Sequence, residues 1–309
     1  METKEFIHIP VLLDEVLKAL LIKPNGIYVD ATVGGAGHSL EIAKRLSTGK
    51  IYAFDKDPDA VLVAKEKLKN KNAVIFNADF ANMEDFLPYE LKGNVDGVLM
   101  DLGVSSFQLN NKERGFSYKT TCNLDMRMSK TGKTAKDILN FEKKEYIELI
   151  LKKFGEERFA RKIAGEIVKE REKKMFETTE DFKNVISRSI PFKFKRNKNP
   201  FRKSFQALRI AVNNELFSLE KGLETAFSFL KPKSRFLVIS FHSLEDRIVK
   251  NFFKEKSLSC KCPKNFPICI CNTTKKANII TKKPITPTTE EIKKNKRARS
   301  AKLRILEKI

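Results

Sequence analysis

No apolar stretch of this chain approaches the ~18 residues needed to cross a bilayer, so no membrane association is expected. Residues 1–23 are amphipathic and carry no signal-peptide cleavage pattern, which points to a cytoplasmic protein. Cysteine is scarce. There are five in 309 residues, and four of them fall between 260 and 271. That distribution argues against a secreted disulfide scaffold and for a metal or reduced thiols. Internal repeats are absent. Acid is also in short supply, with 39 Asp and Glu against 61 Lys and Arg, a net charge of +22. Solubility does not require that excess. Its simplest partner is a polyanion, most commonly nucleic acid, and the plain alternative is a compositional bias towards Lys and Asn.

What is present begins with a glycine turn. An apolar run from Ile27 to Val33 leads into Gly34-Gly35-Ala36-Gly37-His38, and Leu40, Ile42, Ala43 and Leu46 then keep helical spacing. This predicts strand, tight turn and helix, with backbone N–H groups offered at the helix start. The spacing is not the G-x-G-x-x-G of a dinucleotide site. Further strands are predicted over Lys50–Phe54, Ala73–Phe76 and Val95–Met100, with helical segments between them. The alternation implies a parallel α/β sheet with right-handed crossovers. Its strands end on Asp30, Asp55, Asp79 and Asp101, where ligands bind in such sheets. Asp30 and Asp79 serve equally well as helix caps. Asp55 is placed to accept the hydroxyls of a ribose, so an adenosine-containing cofactor is expected, with Asp79 and Phe80 against the adenine.

The α/β rhythm stops after Asp101 and resumes near Phe205. Residues 108–203 read as an inserted, mostly helical domain, and residues 1–107 with 204–309 as one discontinuous domain. Three apolar stripes run through Tyr146–Leu151, Phe159–Val168 and Phe182–Ile186, the last opened by a Thr178–Asp181 cap pattern. The insertion closes on a run free of acid that interleaves Lys193, Lys195, Arg196, Lys198, Arg202 and Lys203 with Phe192, Phe194 and Phe201. Cations among aromatics suit phosphate contacts with base stacking, and a solvated loop with Phe anchors is the alternative. One long helix is predicted from Leu208 to Leu230, then a strand at Phe236–Phe241 ending in His242. Near the end lie Cys260-x-Cys262 and Cys269-x-Cys271. These four thiols could hold one structural Zn²⁺ or stay reduced. Last comes a basic tail over Lys293–Arg304, read as a solvated face or disordered arm whose Arg297 and Arg299 could touch RNA.

These motifs together resemble the bacterial S-adenosylmethionine-dependent methyltransferases that modify N4 of a cytosine in small-subunit ribosomal RNA, the MraW or RsmH family. The resemblance rests on His8–Leu13, the Asp30–Ser39 glycine segment, Asp96–Ser106, Arg114–Ser117, Leu124–Met128, Gly155–Arg158, Phe205–Asn213, Ser240–Arg247 and Arg297–Ser300. It implies a class I (Rossmann-like) methyltransferase sheet with an inserted helical domain. It implies cofactor contacts from the Gly35, Ala36, Gly37 and His38 turn, then Asp55, Phe80, Asp101 and Gln108. It implies S-adenosylmethionine as cofactor and 16S ribosomal RNA within the small subunit as partner, and leaves the oligomeric state open, a dimer included. This chain departs from the family at Ala36, where Gly is usual, and at Thr121-Cys122-Asn123 in place of Asp-Gly-Pro. It also has Asn199–Arg202 for His-Pro-Ala-Thr and Lys233-Ser234 for Gly-Gly.

Cytosine N4 is a poor nucleophile because its lone pair is conjugated into the ring. A group that accepts its amino protons would free that pair. Asp101 is the first candidate, although the Pro-Pro-aromatic that often follows such an acid is replaced by Leu102-Gly103-Val104. Asp125 and His242 are the next. For Asp125 the structural alternative is an ion pair with Arg127, and for His242 a hydrogen bond at the strand end.

Overall fold

The computed structural model describes residues 10–105, 108–109, 111–195, 199–260, 262, 270–271 and 273–309. The chain divides into two units, residues 1–103 with 217–309, and residues 104–216.

The first unit is built on a seven-stranded sheet in the order β3-β2-β1-β4-β5-β7-β6. Strands β1 (Ile27–Asp30), β2 (Lys50–Asp55), β3 (Ala73–Asn77), β4 (Val95–Asp101) and β5 (Leu230–Ser240) run parallel. β7 (Lys302–Lys308) lies antiparallel between β5 and β6 (Ala277–Ile279). Alternate residues face opposite sides, and both sides are apolar, as a sheet covered on two faces requires. Tyr28, Ile51, Ala53, Leu99, Leu237 and Ile239 pack with α1 (Leu13–Leu20), α2 (Gly37–Ala43) and the end of α3 (Pro58–Lys67). Val29, Phe54, Val98, Met100, Phe236 and Val238 pack with α10 (Glu215–Phe229) and α11 (Ser243–Ser257). Two 3₁₀ turns, Phe80–Asp85 and Tyr89–Leu91, stand where a full helix was expected between β3 and β4.

The second unit is helical: α4 (Ala135–Phe141), α5 (Lys144–Gly155), α6 (Ala160–Arg171), α7 (Thr179–Ser189), α8 (Phe192–Lys195) and α9 (Arg202–Asn213). Reciprocal capping boxes open α4 (Thr134 with Asp137) and α7 (Thr178 with Asp181). Their apolar stripes meet around Ile147, Ile163, Phe182 and Phe205.

Three expectations need correction. The long helix breaks at Asn214, which takes the left-handed backbone (φ 51°) that Asn tolerates. Just before it, Asn213 spends its side-chain amide on the Met128 N–H and the Met126 carbonyl. The unit boundary therefore falls at 216/217 rather than 203/204, because Phe205, Ala207 and Leu208 of α9 belong to the helical core. The basic tail is no arm. It folds as α12 (Thr289–Lys294), a 3₁₀ turn at Lys296–Ser300, and β7. Leu303, Ile305 and Leu306 are buried there, and Arg304 is neutralised by Asp246 at 2.7 Å.

Candidate active site

The first unit gathers its acids at the carboxyl edge of β1, β2 and β4. Asp30 is buried. Its Oδ2 accepts from the Ser39 hydroxyl at 2.6 Å and its Oδ1 from the Thr32 N–H at 3.1 Å. Burial still lifts its pKa to about 6 against those two bonds. The glycine turn crosses the strand ends by donating from Val33 N to the Phe54 carbonyl and from Gly34 N to Asp55 Oδ2 at 2.9 Å. One of the expected open N–H groups is therefore spent on Asp55. The other oxygen of Asp55 accepts from Asp57 N at 2.9 Å. Each carboxylate oxygen keeps a second lone pair for a hydroxyl donor. Burial raises Asp55 to about 6 as well, with Asp57 and Asp30 adding repulsion.

Asp101 is the extreme case. Its side chain is partly buried, its Oδ1 is buried and has no hydrogen-bond partner, and Oδ2 lies 3.8 Å from His38 Nδ1. Burial raises its pKa well above the usual range, and repulsion from Asp30 and Glu245 adds to that. The Asp101 N–H donates to the Thr32 hydroxyl at 2.6 Å, which ties β4 to the turn. His38 is itself buried, with Nε2 3.0 Å from the Val11 carbonyl. Gly37 is required by space, since a Cβ there would stand 2.4 Å from Pro10 Cγ. Ala36 is wholly buried at φ 60°, so its methyl fits but its backbone is left-handed.

The end of β3 is different in kind. Asp79 caps the following turn at Ala81 N (2.9 Å), accepts from Ser218 Oγ (2.9 Å) and pairs with Lys56 (3.4 Å). Here the capping alternative describes the side chain. Phe80 lies on α10, where a Cβ at Gly222 would stand 2.4 Å from its ring. Sequence reasoning passed over Gly222, whose only signal is a small residue in an otherwise bulky helix face.

Gln108 belongs to the helical unit. It is buried there, with Oε1 accepting from Ser105 N at 3.0 Å. Asp125, also in that unit, forms a two-pronged ion pair with Arg127 at 2.7 and 2.9 Å. Burial pushes this carboxyl up, and Arg127 more than reverses it, so its pKa is lowered. His242 is the N-cap of α11. Its Nδ1 accepts from Glu245 N at 3.3 Å, and the Glu245 carboxylate returns bonds to the Phe241 and His242 N–H groups.

The basic run is partly anchored. Phe201 packs on the helical core with Lys183 over its ring at 5.6 Å. Phe194 leans on Phe159 at 5.2 Å with the Arg158 guanidinium 5.1 Å from it. Lys193, Arg202 and Lys203 are exposed, and Lys203 donates to the Glu156 carbonyl at 2.7 Å. Arg196, Lys198 and the side chain of Lys195 lie outside the described residues, as does Cys269. Arg297 and Arg299 are exposed on the 3₁₀ turn before β7. A second basic surface escaped sequence reasoning. Lys144, Arg158, Arg161, Lys162 and Lys169 line a shallow groove with Phe159 and Gly165. Its signal was the i, i+3, i+4 spacing of cations opposite the apolar stripe of α6.

Residues 5–309 match the MraW methylase family. The chain belongs to the MraW methylase family. Relatives of this MraW-family chain include a protein named ribosomal RNA small subunit methyltransferase H from Caldicellulosiruptor saccharolyticus. It is 51% identical over 305 residues, covering 98% of this chain and 99% of the relative. The protein of the same name from Carboxydothermus hydrogenoformans is 48% identical, covering 99% of each. A solved structure titled as an rRNA methylase from Streptococcus thermophilus superposes at a TM-score of 0.43 with 10% identity, covering 98% of each chain.

Proposed function

We propose that this chain transfers a methyl group from S-adenosylmethionine to N4 of a cytidine in small-subunit (16S) ribosomal RNA near the decoding region, acting in the cytoplasm on the small ribosomal subunit. The observation that carries the reading is the set of three carboxylates at the sheet edge, Asp30 buried and Asp55 and Asp101 partly buried. Among the described residues no Lys or Arg pairs with any of them. A site built this way favours a cationic ligand and repels a pyrophosphate. S-adenosylmethionine carries a sulfonium and an ammonium and no phosphate, so it fits where a dinucleotide does not. The glycine turn and Asp55 would hold its ribose, Phe80 its adenine, and His38 and Asp101 the neighbourhood of its charged end. When bound it supplies an already activated methyl group.

Asp101 is the proposed acceptor for the amino protons of the target. It has a buried oxygen without a partner, whereas Asp125 is held by Arg127; His242 spends Nδ1 on its cap and keeps Nε2, likewise without a hydrogen bond, 3.1 Å from Glu245 Oε1, which makes it the second candidate. The helical unit would take the RNA through Lys193, Arg202, Lys203 and the groove of α6, and the +22 charge supports such a partner. The names of the relatives support the ribosomal substrate.

The test is incubation with methyl-labelled S-adenosylmethionine and three substrates from a strain lacking the gene: naked small-subunit RNA, assembled small subunits and duplex DNA. N4-methylcytidine in RNA from assembled subunits is the expected product. Cofactor binding without label in any RNA would refute the substrate.

A further inference from the structure

The connection between α11 and β6 spans residues 258–276, long for a loop inside a compact domain. Its base is closed by Lys276 N donating to the Lys256 carbonyl at 2.9 Å, and Ile309 N donates to the Lys276 carbonyl at 3.0 Å. Among its described residues, Cys260, Cys262 and Cys271 turn their sulfurs towards one point, all within 4.8 Å of one another. The Sγ atoms of Cys260 and Cys271 are 3.8 Å apart. A disulfide needs about 2.05 Å. A tetrahedral zinc with Zn–S near 2.3 Å sets its sulfurs about 3.8 Å apart. The Cys262 N–H donates to Cys260 Sγ at 3.3 Å, a bond that stabilises a thiolate.

The geometry points to a structural Zn²⁺ bound by the thiolates of Cys260, Cys262 and Cys271, closing this connection on itself. The donor set is all sulfur, which selects a soft, tetrahedral ion and disfavours Mg²⁺ or Ca²⁺. Each thiol gives up its proton as the metal enters, and no redox step is involved. The sequence supplies a further thiol in Cys269, outside the described residues. The site stands apart from methyl transfer, since none of its ligands belongs to the acidic edge.

The experiment uses the full chain, purified without chelator and analysed for metals by mass spectrometry. About one zinc per chain is expected. Replacement by Co²⁺ should give the thiolate-to-cobalt charge-transfer absorption of a sulfur-rich tetrahedral site. Cys260→Ser with Cys271→Ser should abolish both signals. Cys122→Ser, at the buried thiol of the helical unit, should keep them. If the double variant fails to fold, the metal content and cobalt spectrum of the unaltered chain still decide. Absence of zinc together with a silent cobalt spectrum overturns the proposal. So does stoichiometric iron in place of zinc, or metal retained by a folded double variant.

Discussion

Two sets of aspartates in this molecule share a chemistry and live in opposite environments. In the helical unit, Asp137 and Asp181 close capping boxes, Asp125 grips Arg127, and all three carboxyls are held below their ordinary value. At the sheet edge, Asp30 is buried, Asp55 and Asp101 are partly buried, none has a cation beside it among the described residues, and all three are raised. Desolvation is the first cause of each rise at the sheet edge; at Asp125 burial also pushes upward, and the bonds from Arg127 more than offset it. A fold that satisfies its acids elsewhere and leaves three uncompensated at one edge has reserved that edge for a ligand of positive charge.

The sharpest way to break the comparison is Asp101→Asn. Exchanging this desolvated, repelled carboxyl for an amide should leave the cofactor-free protein at least as stable, while kcat/KM for methyl transfer falls by roughly a hundredfold or more. Thermal unfolding and steady-state kinetics on the same preparation check both halves. A variant that loses stability and keeps activity would place Asp101 among the structural acids.

The pH dependence follows with its sign fixed. Asp30 and Asp55 have folded values of about 6 against an ordinary 3.8. Each raised value favours the folded protein fully below pH 3.8, and the contribution is lost as pH rises through about 6. It amounts to about 3 kcal/mol for each group. Denaturant unfolding of the cofactor-free chain should show stability falling between pH 4 and 6, and saturating S-adenosylmethionine should flatten that fall. Cofactor affinity, read by calorimetry, should rise across the same window. An affinity independent of pH there would mean that the ligand does not answer these charges.

Asp125→Asn sharpens the other side. It breaks a partly buried ion pair with Arg127, so a loss of about 1 kcal/mol is expected, with cofactor affinity unchanged. A tenfold loss of affinity would move Asp125 from structure to site.

Much of this contrast was legible before the structure. Strand ends, the Thr178 capping box and the helical stripes follow from local periodicity, and so does the position of Asp55 after β2. What sequence reading missed depends on distant partners. Strand β7 alternates apolar and charged residues, but its cation density reads as a solvated arm until Asp246, 58 positions away, is seen to neutralise Arg304. The groove of α6 joins cations whose spacing is visible in the sequence to Lys144 of the preceding helix, a neighbour only packing reveals. The orphaned oxygen of Asp101 could not be read at all, because its neighbours Asp30 and Glu245 come from separate strand and helix ends.

The smallest effect compares two non-glycine residues held in the backbone conformation that glycine prefers. Ala36 and Lys233 both hold left-handed backbone, at φ 60° and 63°. Ala36 is buried in the cofactor turn. Lys233 is exposed where the pairing of β5 with β4 jumps from Leu230 opposite Val95 to Arg235 opposite Gly97. A side chain in this conformation costs roughly 1–2 kcal/mol, and the extra freedom of glycine in the unfolded chain returns part of it. Ala36→Gly and Lys233→Gly should therefore each stabilise the protein by about 0.5 kcal/mol, roughly 1 °C in Tm for a chain of this size. Cofactor affinity should stay within about twofold for both, because the backbone is already in the shape glycine prefers. A selective loss of affinity in Ala36→Gly, with Lys233→Gly unaffected, would show that the rigidity contributed by the Ala36 methyl is part of how the turn meets its ligand.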